Sequence, residues 1–184
     1  MENIKEQQKV AIKEMTDEFG YNNTMAAPRL KKVTINVGIG DKINGMATDK
    51  AKQTIDYVVN DIALIAGQKP VVTKAKKSIS AFEIRAGDPA GVKVTLRGER
   101  MFNFLEKLIN VVLPGLRDFR GLDPEKIDQA GNFSLGVEEH ISFPEIPADE
   151  RDDILSLQLN VTNTAKTKEE GLEFLKKIGF PFKK

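Results

Sequence analysis

Cysteine is absent from the 184 residues. That excludes a disulfide framework, a thiolate zinc site and a cysteine nucleophile, and it fits a reducing compartment. Nor does any apolar run approach the ~18 residues that a membrane span requires. The amino-terminal stretch MENIKEQQKVAIKEM is polar and amphipathic, unlike a secretory leader. Histidine occurs once, as His140 in VEEHISFP. With no His or Cys partner at ligand spacing and no nucleophile pattern around it, His140 is expected to be a surface or structural residue. Acid is missing over one long interval, from Asp61 to Glu83. Inside that gap lies GQKPVVTKAKKSIS, which carries four lysines.

The lysines stand out because the chain as a whole is nearly neutral, with a formal net charge of +1. Neutrality hides an asymmetry. Residues 29–107 hold 15 basic and 8 acidic side chains, whereas residues 108–165 hold 4 basic and 11 acidic ones. A basic block followed by an acidic block suggests two kinds of partner, one of them polyanionic. At 20.4 kDa the chain is expected to form a single domain over residues 1–184. A chain of this size buries roughly 70% of the surface its unfolded form exposes, so it needs no staple to hold a core.

Periodicity supplies the elements. Residues 2–19 predict a helix, with Ile4, Ala11, Ile12, Met15 and Phe19 at helical spacing and Gly20 as its stop. RLKKVTINVGIG predicts a strand. Residues 47–66 predict a second helix, ended by Gly67 and Pro70. A short strand follows at Val71 to Thr73, and SAFEIR and GVKVTLRG predict two more, joined across AGDPAG. ERMFNFLEKLINVVLP predicts a helix that Pro114 ends. Residues 113–153 are acidic and loop-rich, with FSLGV a short strand among them. DILSLQLNVTN predicts a strand, and TKEEGLEFLKKIG a final helix with Thr167 and Glu170 at capping-box spacing. Helices and strands mix without strict alternation. The expected fold is therefore α+β: a mixed, mostly antiparallel sheet with helices on one face.

The other face of that sheet is unusual. Val33, Ile35 and Val37 oppose Lys32, Thr34 and Asn36; Val92, Val94 and Leu96 oppose Lys93, Thr95 and Arg97. Leu155, Leu157, Leu159 and Val161 oppose Ser156, Gln158, Asn160 and Thr162. The polar set is rich in amide and hydroxyl groups, with cations among them and little acid. Such groups hydrogen-bond phosphates, sugars and base edges, and Lys69, Lys74, Lys76 and Lys77 provide a basic flank that neutralises phosphate. The face carries no aromatic at its polar positions. Base stacking is thus disfavoured, and structured RNA read by shape and 2′-hydroxyl suits it better. A wet antiparallel sheet explains the alternation equally simply.

Two further classes stay open on the residues alone. One is another RNA-binding module, such as an assembly or tRNA-handling factor. The other is a small enzyme using NVGIGDKING for a nucleotide phosphate, although Gly45 falls two residues too late for G-x-G-x-x-G and no GK[ST] follows. The carboxylates of EIPADERDD lack calcium-loop spacing. No catalytic residue, metal or cofactor is predicted.

INVGIGD, IAGQKPVVTKAKKSI, VTLRGERM, LRDFRGL, GNFSLGVEE, FPEI and GFPFKK, in this order from about residue 2 to 184, resemble the bacterial-type large-subunit ribosomal protein five (L-five) family. The resemblance implies a non-enzymatic protein of the cytoplasmic ribosome that binds 5S rRNA and attaches it in the central protuberance of the large subunit. By the resemblance, Asn36, Gln68 and Thr95 hydrogen-bond 5S rRNA, on the face that also holds Lys32, Thr34, Lys93 and Arg97. The loop Ile84, Arg85, Ala86, Gly87, Asp88, Pro89, Ala90 and Gly91 is similar to one that touches peptidyl-site tRNA. Relatives carry an apolar or aromatic residue and Ile around the loop proline, where this chain has Asp88 and Ala90. The region 110–146 resembles the part that bridges to a small-subunit head protein, here with Arg117, Asp118, Phe119, Arg120, Glu138 and Glu139. The implied partners also include 23S-type rRNA and other central-protuberance proteins, and no membrane.

Overall fold

The structure is a computed structural model that describes residues 3–80, 83–117, 119–147 and 154–183. Its elements run α1 (Ile4–Phe19), β1 (Leu30–Gly38), α2 (Gly40–Ile43), α3 (Thr48–Ala66), β2 (Val71–Lys74), β3 (Pro89–Leu96), α4 (Gly98–Lys107), α5 (Leu113–Gly115), β4 (Phe133–Val137), β5 (Leu157–Asn163) and α6 (Lys168–Ile178). The strands form one five-stranded antiparallel sheet in the order β2–β3–β1–β5–β4. The class is α+β, as the mixed periodicities require. No helix among the described residues is long and apolar enough to cross a membrane.

The helices end where side-chain and glycine chemistry end them. The Asn3 carboxamide oxygen accepts from the Lys5 N–H at the start of α1, and Gly20, at φ 65°, closes it by donating to the Thr16 carbonyl. Gly67 closes α3 in the same left-handed conformation. At α6 the Thr167 hydroxyl accepts from the Glu170 N–H, and the Glu170 carboxylate reaches back to the Lys166 N–H, so orphan donors on both sides of the cap are satisfied.

Contacts divide the chain into two compact units. The first comprises Met1–Val33, Leu96–Leu135 and Asn160–Lys184. Here α1 packs on α4 and α6, burying Ile4, Ala11 and Met15 along with Met101, Phe104, Leu105, Phe174, Leu175 and Ile178. Lys177 reaches Glu14 and Glu18 at 3.2 and 3.1 Å, and those carboxylates raise its pKa. Phe133 meets Phe180 and Phe182 edge-on. This cluster anchors the tail segment whose Lys183 N–H donates to the Leu122 carbonyl.

The second unit comprises Thr34–Thr95 and Gly136–Leu159. Val58, Ile62 and Ile65 form the buried stripe of α3, and Ile35, Val37, Val92, Val94, Leu155, Leu157 and Leu159 are buried too. Strands β2 and β3 pair antiparallel, with Val71 opposite Lys93, Val72 opposite Val92 and Thr73 opposite Gly91. Gly91 has a steric reason to be glycine: a Cβ there would lie 2.8 Å from the Val37 carbonyl oxygen.

Three expectations are corrected. SAFEIR is not a strand: Ala81 and Phe82 lie outside the described residues, and Ile84 makes a single bridge to Ile79. Glu83 takes a positive φ of 52° and Arg85 to Asp88 form a turn, so continuous pairing cannot develop. Pro114 does not end its helix. A π-helical turn at Leu108–Val112 carries the chain into α5, which continues to Gly115. The helix thus ends one residue past the proline. Finally, β5 begins at Leu157; Asp153 lies outside the described residues, and Ile154 to Ser156 precede the ladder.

Candidate nucleic-acid interface

The predicted two-faced sheet is present. In β1, Val33, Ile35 and Val37 are buried while Lys32 and Asn36 are half-buried. In β3, Val92, Val94 and Leu96 are buried, Lys93 is exposed and Thr95 half-buried. In β5, Leu157, Leu159 and Val161 are buried, and Gln158, Asn160 and Thr162 are partly or wholly open. The Ser134 hydroxyl of β4 lies 2.8 Å from Asn160 Oδ1, a bond between two side chains of the polar face. One predicted residue departs from this picture. Thr34 is buried, at 9% exposure, so it is less open to a ligand than its alternation implies.

Within the second unit the candidate contacts converge on β3. Gln68 follows the left-handed Gly67 that stops α3, and its Nε2 donates to the Thr95 carbonyl at 3.3 Å. The helix end and the strand are thus clasped by two of the residues singled out from sequence. Beyond Gln68, Pro70 leads into β2, whose register sets Val71 beside Lys93 and Thr73 beside Gly91 on the same face. The Thr73 hydroxyl donates to the Gly91 carbonyl at 3.0 Å. Lys69, Lys74, Lys76 and Lys77 are all exposed and border this edge. Lys32 and Arg97 belong to the first unit. Val71 and Thr73 escaped the sequence reading. Their alternation was visible, but which face it joined depends on the register with β3.

The segment between β2 and β3 is folded rather than trailing. Ala75 donates to the Asp88 carbonyl and Gly87 to the Ala75 carbonyl, at 2.8 and 2.9 Å. The Ser78 hydroxyl accepts from the Ala86 N–H. Arg85, Ala86 and Gly87 are exposed, Ile84, Asp88, Pro89 and Ala90 are half-buried, and Gly91 is buried in β3. The Asp88 carboxylate accepts from the Arg85 N–H at 2.8 Å. Its acid is used to hold the turn, which accounts for a negative charge on an otherwise basic margin.

The residues assigned to a bridge belong to different units. Arg117 and Arg120 are exposed and Phe119 half-buried in the first unit; Glu138 and Glu139 are exposed in the second; Asp118 lies outside the described residues. His140 follows the two glutamates and is fully buried. Its Nδ1 accepts from the Leu155 N–H at 3.2 Å, its own N–H donates to the Leu155 carbonyl at 2.9 Å, and its Nε2 lies 3.4 Å from Asp61 Oδ2 on α3. An imidazole that accepts at Nδ1 carries its proton at Nε2, facing the carboxylate. His140 is therefore a structural residue that anchors the turn bearing the glutamates.

Among the described residues no cluster of three His, Asp or Glu side chains could hold a metal.

Residues 23–85 match the family described as Ribosomal protein L5, and residues 89–182 match the C-terminus of the same ribosomal family. The chain is 49% identical over 176 residues to the large ribosomal subunit protein uL5 of Desulforapulum autotrophicum, covering 96% of this chain and 95% of that protein. It is 50% identical over 171 residues to the uL5 of Halothermothrix orenii, covering 93% and 92%. To the uL5 of Francisella tularensis subsp. novicida it is 49% identical over 176 residues, covering 96% and 95%.

Proposed function

The chain belongs to the ribosomal protein L5 family, and from that premise we propose that it is a structural protein of the large ribosomal subunit that binds 5S rRNA through the polar face of its sheet. It is no enzyme, in keeping with its family. The observation that carries the RNA reading is the clasp between Gln68 and the Thr95 carbonyl. It joins two of the amide and hydroxyl positions in one unit, bordered by exposed Lys69, Lys74, Lys76, Lys77 and Lys93. Asn36 lies on β1, the strand next to β3. Amides and hydroxyls fix the position of the RNA, and the lysines supply attraction that is independent of sequence.

In the same reading, the loop from Ile84 to Gly91, with Arg85, Ala86 and Gly87 exposed, touches peptidyl-site tRNA. The turn with Glu138 and Glu139 meets a protein of the small-subunit head, with Arg117, Phe119 and Arg120 contributing to that bridge. The assembly sits in the central protuberance of the cytoplasmic ribosome, against 23S-type rRNA and neighbouring proteins. Residues 1–184 act as one domain. One cooperative unfolding transition supports that last point, and two separated transitions contradict it.

The deciding experiment is a titration of the protein against 5S rRNA and a control RNA of equal length, across salt concentrations. With about five phosphates contacted, log affinity falls against log salt with a slope of about −3 to −4.5, and 5S rRNA is preferred. Equal binding to both RNAs contradicts the reading and leaves a generic basic patch.

A further inference from the structure

Large apolar side chains are exposed at several places on loops and helices, but among the described strand residues Val71 stands alone, at 68% exposure. Its neighbours make this unusual. On the same face lie Lys93 directly opposite it and Thr73 two residues on, and Lys69 and Lys74 flank it in sequence. Elsewhere the open side chains of this face include Ser134, Gln158, Asn160 and Thr162, all with hydrogen-bonding groups. Threonine has the shape of valine and a comparable strand preference, so folding alone gives no reason for an isopropyl group in water here. As the edge strand of the sheet, β2 leaves Val71 without a neighbour on its outer side.

We propose that Val71 is a further RNA-contact residue of this face: an apolar platform that packs on a ribose or base edge while Lys93 holds the adjacent phosphate. The inference rests on the RNA-binding reading above and adds a contact of a different physical kind. RNA is the occupant the surroundings favour. An exposed apolar side chain directly opposite exposed Lys93, on an edge that Lys69 and Lys74 flank in sequence, complements a polyanion whose sugars present carbon between charged groups. A protein partner docking by hydrophobic burial calls for a wider apolar patch than one valine.

The two kinds of contact have separable signatures. Phosphate contacts set the slope of log affinity against log salt, whereas an apolar contact changes affinity equally at every salt concentration. The test is Val71→Thr and Val71→Ala in the full chain, titrated against 5S rRNA over a salt series, with thermal melts of the free proteins. The expected result is a loss of about three- to tenfold at every salt concentration for each variant, from removal of one or two buried methyl groups. The slope and the melting temperature stay unchanged. Affinity within twofold of the parent in both variants overturns the proposal. So does a lowered melting temperature that accounts for the loss, which assigns Val71 to the fold. If the parent shows no preference for 5S rRNA while the variants match it, the RNA-binding reading itself fails and the proposal falls with it. A parent that prefers 5S rRNA with unaffected variants rejects the platform alone. Loss of a protein contact with RNA affinity intact assigns Val71 to a protein interface instead.

Discussion

Thr95 carries two roles on different atoms. Its carbonyl accepts from Gln68 and so belongs to the fold. Its half-buried side chain lies on the polar face and is free to serve a ligand. Thr95→Val keeps the shape and the backbone bond but leaves an RNA group without its partner. The expected cost is about 1–3 kcal/mol in 5S affinity, with an unchanged melting curve; an unfolded variant shows that the hydroxyl is structural. Tyr21, in the first unit, tests a different kind of environment. Burial, and then the Glu170 carboxylate beside it, push its pKa up to about 12 from 10.0. With the folded value above the unfolded one, its contribution is fully present below pH 10 and is lost as pH rises towards 12. In Tyr21→Phe the alkaline fall in stability over that window should be shallower, measured by denaturant titration at stepped pH. An identical pH profile contradicts the assignment.

At the scale of elements, the β2–β3 connection shows how a charge that looks misplaced in a sequence acquires a reason. Asp88 is an acid that follows a lysine-rich stretch and lies in the proposed tRNA-contact loop. Its carboxylate accepts the Arg85 N–H, and the Asp88 N–H returns a bond to the Arg85 carbonyl at 3.1 Å. Asp88→Ala removes one such bond, worth about 1 kcal/mol, and exchange of the Arg85 amide should speed up roughly fivefold. Binding to 5S rRNA should stay within about twofold, since Asp88 offers phosphate nothing. Unaltered exchange means that the backbone bonds at Ala75 and Gly87 hold the turn without the side chain. The α4 segment teaches the complementary point. A proline in a helical pattern is a stop signal, and here, after a π-helical turn, the helix ends one residue past it, at Gly115.

For the molecule as a whole, the proposed function assigns its charged groups to different partners. The exposed cations at Lys69, Lys74, Lys76, Lys77 and Lys93 suit RNA, while exposed Glu138 and Glu139 sit on a turn tied to α3 through buried His140 and Asp61. In the proposed bridge, a turn anchored in this way would present its two carboxylates to a basic protein surface at little entropic cost. Replacing both glutamates by lysine should weaken association of the two ribosomal subunits by roughly tenfold, as expected for like charges across an interface, and leave 5S binding unchanged. Unchanged subunit association removes these residues from the bridge.

Much of this organisation follows from sequence because it rests on local physics. Alternation along β1, β3 and β5 fixes two unlike faces, since strand side chains must point to opposite sides. Gly20, Gly67 and Gly179 stop three helices because a left-handed cap favours the residue without a Cβ. The four lysines within an acid-free interval are equally visible before any coordinates are considered, and there they predict a polyanion partner. What the tertiary structure alone decided depends on residues far apart in the chain. Burial of Thr34, the seating of Val71 beside Lys93, the pairing of His140 with Asp61 and the close approach of Gly91 to the Val37 carbonyl are set by register and packing. A register shift of one residue reverses which side chains share a face, and no local pattern encodes that choice.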